Sequence, residues 1–233
     1  MVNTPPIVHA IVVAAGSGHR FGGGEPKQLA KLGERTVLEH ALEAIAGSGV
    51  VDAVVIVTRA DLVDRVKDLC SGSPSVAAIV VGGATRAESV RAGLAAIAGE
   101  PTDLVLVHDA ARPLVGLDQV AAVMAALADA DAATVAIPAD DTLLRVETDT
   151  VVGTLERSGV FRAQTPQGFR LGTLRDAHAR AMRDPDFVAT DDCSIVLRYL
   201  PNSTVKVVAG SQRNMKITTL PDLATAARLL DDA

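Results

Sequence analysis

A chain of 233 residues, 48% of them hydrophobic, can build one large α/β domain or two small ones, and with aromatics at only 2% its core must be aliphatic. So few aromatic rings leave no stacking platform for single-stranded nucleic acid, and a formal net charge of −6 argues against a general nucleic-acid or membrane-surface binder. No apolar run approaches membrane-spanning length, the lead Met1 to Pro6 carries no basic-plus-apolar signal, and Cys70 and Cys193 are isolated residues without metal-like spacing. Together these predict a soluble cytoplasmic protein in a reducing compartment.

The run Ile7 to Val13 has the length and β-branched content of a buried strand. Ala14 to Leu29 follows, a loop with five glycines in nine residues and the cations Arg20 and Lys27. Thr36 and Glu39 form a capping box for a helix through Ile45, which Gly47 and Gly49 end. Val54 to Val57 is a second strand, Asp61 to Leu69 a helix and Val76 to Val81 a third strand. The pair Gly82 and Gly83 precedes another capping box, Thr85 with Glu88, and a helix to about Ile97. Leu104 to Val107 is a fourth strand, with HDAARP, His108 to Pro113, directly after it. A helix over Leu117 to Leu127 and a strand over Ala132 to Ile137 complete the alternation. Such alternation predicts right-handed crossovers and a mostly parallel, Rossmann-like sheet with helices on both faces.

Pro138 to Arg157 departs from this pattern. It is polar, with short β-prone pieces at Leu143 to Val146 and Thr150 to Leu155. It reads as a β-hairpin arm protruding from a single domain that spans 1–233. A lone hairpin is marginal in water, so the arm is predicted to pack on something, most simply another subunit. Phe161 to Gly168 returns to the main sheet, Leu171 to Met182 is helical, Thr190 to Asp192 caps a helix to Tyr199, and Val205 to Val208 is a last strand. Asn214 to Thr218 leads into a terminal helix from Pro221.

Ligands of such sheets sit beyond the carboxyl ends of the strands. The glycine loop, GGATRAES and HDAARP each follow a strand and are therefore predicted to line one crevice. Successive backbone N–H groups in a glycine loop form a nest for anions, and Arg20 and Lys27 add fixed charge, which points to a triphosphate. Gly16 and Gly18 begin a dinucleotide fingerprint, but its third position is Phe21. Nor is the loop a Walker sequence, since Lys27 lies between Pro26 and Gln28. Phosphoryl and nucleotidyl transfer need charge neutralised on nonbridging oxygens, which suits Arg20, Lys27 and Lys216. Lys216 alone would read as a solvated surface charge. Asp109 and Arg112 either meet substrate hydroxyls or metal, or pair with each other to shape their loop. Ser89 either bonds a base edge or is an ordinary first-turn serine. His108 reads as structural because nothing nearby completes a nucleophile–base pair. Asp191 and Asp192 read as N-terminal capping acids rather than a metal pair.

The segments AAGSGHRFGGGEPKQL, GGATRAESV, HDAARP, the Asp-Thr of DDT, ERSGVFRAQTPQGF, ATDD and NMKIT occur in this order along essentially the whole chain. In this the sequence resembles the 2-C-methyl-D-erythritol 4-phosphate cytidylyltransferase family of the non-mevalonate isoprenoid pathway. The first segment alone would indicate only a nucleotidyltransferase; HDAARP with the TPQ segment is more specific. The resemblance implies a nucleotidyltransferase fold, attack of a polyol phosphate on the α-phosphate of CTP, Mg²⁺ held mainly by the CTP phosphates, and a homodimer with swapped arms. It implies that Arg20 and Lys27 stabilise the transition state. Ala14, Gly83 and Ser89 would surround cytosine, with Ala15, Gly16, Gly18, Gly82 and Asp109 completing the nucleotide site. Asp109, Arg112, Thr165 and Lys216 would meet the polyol or the reacting phosphates, and Thr142 and Arg157 would reach the substrate phosphate from the partner's arm. The family often carries an acidic residue where this chain has Ala84. The rival readings are a cytidylyltransferase for another polyol phosphate such as ribitol 5-phosphate, a noncatalytic nucleotide-binding module, and a dinucleotide-dependent dehydrogenase, which Phe21 disfavours.

Overall fold

The computed structural model describes residues 5–18, 20–22, 24–184 and 186–231. The chain opens with β1 (Val8–Val13), a small hairpin of β2 (Lys31–Leu32) and β3 (Arg35–Thr36), and α1 (Val37–Ala46). It continues through β4 (Ala53–Thr58), α2 (Val63–Cys70), β5 (Val76–Val81), α3 (Arg86–Ala96), β6 (Leu104–Asp109), α4 (Leu117–Ala126) and β7 (Ala132–Pro138). The arm is β8 (Leu143–Glu147) and β9 (Thr150–Leu155). The rest is β10 (Phe161–Arg170), α5 (Leu171–Ala181), α6 (Asp192–Tyr199), β11 (Val205–Ala209) and α7 (Leu220–Asp231).

Among the described residues the main sheet has seven strands in the order β11-β7-β10-β6-β1-β4-β5. All are parallel except β10, which runs antiparallel to both β6 and β7. Within β1, Ala10 and Val12 point to one face and Ile11 to the other, as the two-residue period of a strand requires. The first face packs on Leu38, Leu42 and Ile45 of α1, Val66 of α2, and Val120 and Val123 of α4. The second packs on Val90 and Leu94 of α3, Leu171 and Leu174 of α5, and Ile195 of α6. Strands covered on both faces explain the near-continuous aliphatic runs of the sequence. Helix α7 adds a smaller core, Ala226 with Phe21, Leu32, Val37 and Ile217, that ties the end of the chain to the glycine loop.

Both predicted capping boxes form. Thr36 accepts from the Glu39 N–H and Thr85 from the Glu88 N–H, and each glutamate bonds back toward its cap. The predicted helix over Asp61 to Leu69 is divided into a 3-10 turn at Ala60–Leu62 and α2, and the hairpin β2-β3 lies in a stretch given no element from sequence. The arm forms its own two-stranded sheet, apart from the main one, with Leu143 opposite Leu155 and Val146 opposite Val151.

His108 is structural, as its isolation in sequence implied. It is fully buried at the end of β6. Its Nε2 lies 3.0 Å from the Arg112 carbonyl, and its Nδ1 lies 3.0 Å from the Thr165 hydroxyl. Neutral imidazole satisfies both, with Nε2–H donating and Nδ1 accepting. Burial pushes its pKa down to about 4.

Two outcomes follow for stability. Phe169 of β10 is fully buried between α-helices and the sheet. Phe169→Ala should cost roughly 3–5 kcal/mol in urea unfolding, the usual range for a buried ring lost to a cavity. His108 has a folded pKa below its ordinary 6.5, so it contributes stability that is present above that value and lost as pH falls toward about 4. Urea titrations across this window should show unfolding free energy declining by up to roughly 3 kcal/mol more in the unsubstituted protein than in His108→Gln.

Candidate active site

The carboxyl ends of β1, β4, β5 and β6 continue their ladders into the loops that follow. Ala14 N–H donates to the Val57 carbonyl at 2.7 Å, Gly82 N–H to Thr58 at 2.8 Å and Ala110 N–H to Val13 at 3.0 Å. This brings together segments nearly a hundred residues apart and leaves a crevice of about 450 Å³ at their mouth. Its walls are Val13 to Ser17 of the first loop, Gly83 to Arg86 with Ser89, and Asp109 to Ala111, closed by Lys27, Gln28, Arg59 and Lys216. A second, smaller hollow of about 170 Å³ adjoins it and shares Arg86, Asp109 and Lys216. Arg112, Thr165, Gln167 and Thr190 also line the smaller one.

Two glycines are dictated by close approach. A Cβ on Gly82 would lie 2.5 Å from the Ala15 Cβ, and one on Gly83 would lie 2.3 Å from the Glu88 Cβ. Glu88 folds back to accept from the Ala84 N–H at 2.7 Å, which occupies the backbone donor beside Gly83. Gly18 adopts φ +67°, the left-handed region open to glycine at little cost. The first loop is held from below by the Gln28 amide, buried and donating to the Ala14 carbonyl at 2.9 Å.

The crevice carries more positive than negative charge. Among the described residues, Lys27, Arg59, Arg86 and Lys216 line it against a single lining carboxylate, Asp109. Arg59 is committed to Asp61 through two hydrogen bonds. Lys216 Nζ donates to Asp109 at 2.6 Å, and Arg86 Nε to its other oxygen at 3.0 Å. Burial alone would raise the Asp109 pKa, but Arg86 and Lys216 outweigh it and hold the carboxyl well below the usual range. Lys27 is different. Its Nζ donates to the Ile217 carbonyl at 3.3 Å, and among the described residues no carboxylate lies within ion-pair distance of it. Burial first, then the nearby Lys216, lowers its pKa. A half-buried ammonium crowded by other cations is a ready receptor for a polyanion.

The segment bearing Lys216 is laced to the loop after β6. Ile217 N–H donates to the Ala111 carbonyl at 2.8 Å, Arg112 Nη1 to the Asn214 carbonyl at 2.7 Å, and the Asn214 amide to the Thr165 carbonyl at 2.9 Å. Thr165 Oγ1 accepts from the Asp109 N–H at 3.0 Å and donates to His108.

The predicted site residues sort themselves clearly. Ala14, Ala15, Gly16, Lys27, Gly83, Ser89, Asp109 and Lys216 all line the larger crevice, and Arg112 and Thr165 the smaller one. Gly18 and Gly82 shape the walls without lining them. Ser89 is buried and its hydroxyl donates to the Thr85 carbonyl at 3.0 Å, the role of an ordinary first-turn serine, although it faces the crevice. Arg20 is exposed on the glycine loop, near enough to Lys27 to lower its pKa. Thr142 and Arg157 are exposed on the arm and line neither hollow; Arg157 donates to the Asp140 carbonyl at 2.6 Å.

Two sequence readings change. Asp109 pairs with Arg86 and Lys216, not with Arg112, because Arg112 turns toward the carbonyls of Asn214 and Ala163. Asp191 caps α6 as expected, accepting from the Ser194 N–H, but Asp192 is fully buried, ion-paired with Arg86 and in hydrogen-bond contact with His178. Arg59, Arg86 and Thr190 reach the hollows unassigned by sequence reasoning. Arg59 directly follows a strand, the same signal that marked the other loops.

Residues 8–232 match the family described as IspD: 2-C-methyl-D-erythritol 4-phosphate cytidylyltransferase. The enzyme of that name from Thermobifida fusca is 44% identical, the alignment covering 97% of this chain and 94% of that one. A bifunctional IspD/IspF enzyme from Dinoroseobacter shibae is 42% identical over 97% of this chain, which spans 54% of its length. Among solved structures, the 4-diphosphocytidyl-2C-methyl-D-erythritol synthase of Anaerococcus prevotii superposes with a TM-score of 0.84 at 30% identity, covering 97% of this chain and 99% of that one. With a family match over residues 8–232, a relative 44% identical over nearly the whole chain and a matching α/β architecture, this chain belongs to the 2-C-methyl-D-erythritol 4-phosphate cytidylyltransferase family.

Proposed function

We propose that the chain transfers CMP from CTP to 2-C-methyl-D-erythritol 4-phosphate. A substrate phosphate oxygen attacks the α-phosphorus of CTP, the bond from that phosphorus to the bridging oxygen of the β-phosphate breaks, and pyrophosphate leaves. The observation that carries this reading is the pair of adjoining hollows, one lined by Lys27 and the glycine loop, the other by Arg112 and Thr165, with Lys216 and Asp109 at their junction. The first suits a nucleoside triphosphate and the second a small polyol phosphate. Lys27 and Arg20 neutralise charge that grows on the phosphates as the bond to pyrophosphate breaks. Ala14, Gly83 and Ser89 surround the base. With its hydroxyl donating to Thr85, Ser89 keeps lone pairs that can accept from an exocyclic amine, which cytosine has and uracil lacks.

Mg²⁺ belongs to this reading as an ion carried by the triphosphate. Among the described residues no cluster of three His, Cys, Asp or Glu side chains is placed to hold a metal, and Asp109 is the one carboxylate lining the larger crevice. A set so poor in carboxylates fits a cation bound chiefly through substrate phosphates. When bound, it would neutralise phosphate charge alongside Lys27.

The arm supports a homodimer. Leu144, Val146, Val151, Leu155 and Phe161 are about half exposed, more apolar surface than an isolated hairpin leaves in water without a partner. Thr142 and Arg157 lie on that arm away from their own chain's hollows. Packed across a two-fold axis, each arm would bring Arg157, whose planar fork suits a phosphate dianion, to the partner's smaller hollow. Among the described residues no helix is long and apolar enough to cross a membrane, and a cytoplasmic location accords with CTP as co-substrate.

Pyrophosphate release should be seen with CTP and methylerythritol phosphate, and not with the other three nucleoside triphosphates or with ribitol 5-phosphate. Release without the polyol phosphate, or none at all, would leave only a nucleotide-binding module. Lys27→Ala should raise the barrier by about 3 kcal/mol, roughly a hundredfold in kcat, with the protein folded. For the arm, Arg157→Ala should raise KM for the polyol phosphate far more than for CTP. Verified heterodimers of an Arg157→Ala chain with a Lys27→Ala chain should recover activity, because one of their two sites holds both original groups. Absence of recovery would mean that Arg157 does not act across the interface.

A further inference from the structure

A chain of hydrogen-bonded side chains runs from behind α3 to the junction of the two hollows. His178 Nε2 lies 3.0 Å from Asp192 Oδ1, and Asp192 Oδ2 accepts from Arg86 Nη1 at 2.6 Å. Arg86 Nε then donates to Asp109 Oδ1 at 3.0 Å, and Asp109 Oδ2 accepts from Lys216 Nζ at 2.6 Å. The inner end is sealed, with Asp192 at 0% and His178 at 2% side-chain exposure, while Lys216 at the outer end is 41% exposed. Five groups from five separate segments are thus fixed in series, and only the last reaches well into open space.

Arg86 occupies the first position of α3, where the helix dipole disfavours a cation. Local electrostatics does not explain an arginine there, but its tertiary partners do. Its guanidinium is a rigid planar fork, and two edges of it meet carboxylates from different elements, Asp192 of α6 and Asp109 of β6. Asp192 is itself held through its backbone N–H, which donates to the fully buried Gln167 Oε1 at 3.1 Å. Asp109 therefore cannot rotate without leaving Arg86, and Lys216 is aimed by an oxygen whose position Arg86 sets.

We infer that Arg86, anchored by Asp192 and His178, is a positioning residue that aims Lys216 at the reacting phosphates through Asp109. This rests on the function proposed above and assigns Arg86 no contact with substrate. The rival is that the buried pairs serve stability alone. The two differ in coupling, because residues acting through one network are non-additive, whereas independent contributions multiply.

The experiment is a double-mutant cycle on the full-length protein with Arg86→Lys, Lys216→Ala and the double variant. Turnover of CTP with methylerythritol phosphate by the unsubstituted protein tests the functional reading by itself. Arg86→Lys keeps the charge and loses the fork, and should lower kcat/KM for the polyol phosphate about tenfold or more. In the Lys216→Ala background the same change should cost less than about twofold. Equal losses in both backgrounds overturn the inference. A crystal structure of Arg86→Lys gives a readout that needs no turnover: Lys216 should be displaced, and an unmoved Asp109–Lys216 pair also overturns it. If Arg86→Lys does not fold, Asp192→Asn takes its place in the cycle. Failure of both to fold makes the chain of pairs a folding requirement and overturns the inference.

Discussion

Asp109 stands almost out of water at the end of β6, and a carboxylate in that position stays ionised only if cations are held against it. Arg86 supplies one and Lys216 the other. Their demands propagate. Arg86 is itself partly buried and is held by Asp192, and Asp192, with no exposure at all, needs Arg86 and His178. The segment carrying Lys216 must lie across the loop after β6 to bring its ammonium in. One buried charge thus dictates the mutual placement of α3, α5, α6, β6 and the approach to α7. Such networks contribute little net stability, but removing one member strands the rest.

The same arrangement divides the cations of the crevice into two kinds. Arg59, Arg86 and Lys216 are already paired with carboxylates of the protein, so their geometry is set before any ligand arrives. Among the described residues Lys27 is bound only to a backbone carbonyl, and burial and neighbouring charge make its protonated form uncomfortable. An incoming polyanion would relieve that discomfort. A preorganised donor without a competing anion acts most strongly where charge develops. The tight contact between Ala15 and the Gly82 backbone keeps the strand ends close enough for all these groups to face one volume.

The arm answers a different constraint. Among the described residues its two strands pair only with each other, and Leu144, Val146, Val151 and Leu155 on it are about half exposed. Such a surface is solvent-exposed at a cost unless something packs on it. The hollow along the middle of β10, meanwhile, is lined by Arg112, which is turned toward carbonyls of its own chain. An exposed arginine on a projecting hairpin and a polar hollow short of uncommitted cations are complementary features of a single subunit.

Local signals in the sequence determined a great deal. Aliphatic runs marked every strand of the main sheet except β10 to within about two residues, because strands covered on both faces need continuous apolar side chains. Thr36 with Glu39 and Thr85 with Glu88 marked two helix starts, because a cap is completed within four residues. The glycine loop, HDAARP and GGATRAES pointed to one crevice, because parallel strands bring all their carboxyl ends to one edge of the sheet. Tertiary structure decided what depends on partners distant in sequence. Strand β10 is antiparallel among parallel neighbours, a fact of pairing that no local pattern carries. The first-turn arginine of α3 meets Asp192, 106 residues away, and Asp109, pairings that no local pattern carries. Asp192 looked like a second capping acid beside Asp191, yet a one-residue step along the helix start leaves one carboxylate capping the helix, partly buried, and turns the next fully into the core. Sequence periodicity specifies which face of an element is buried. Which charges meet there is settled only when separate elements pack, because an ion pair in the interior is a property of two segments at once.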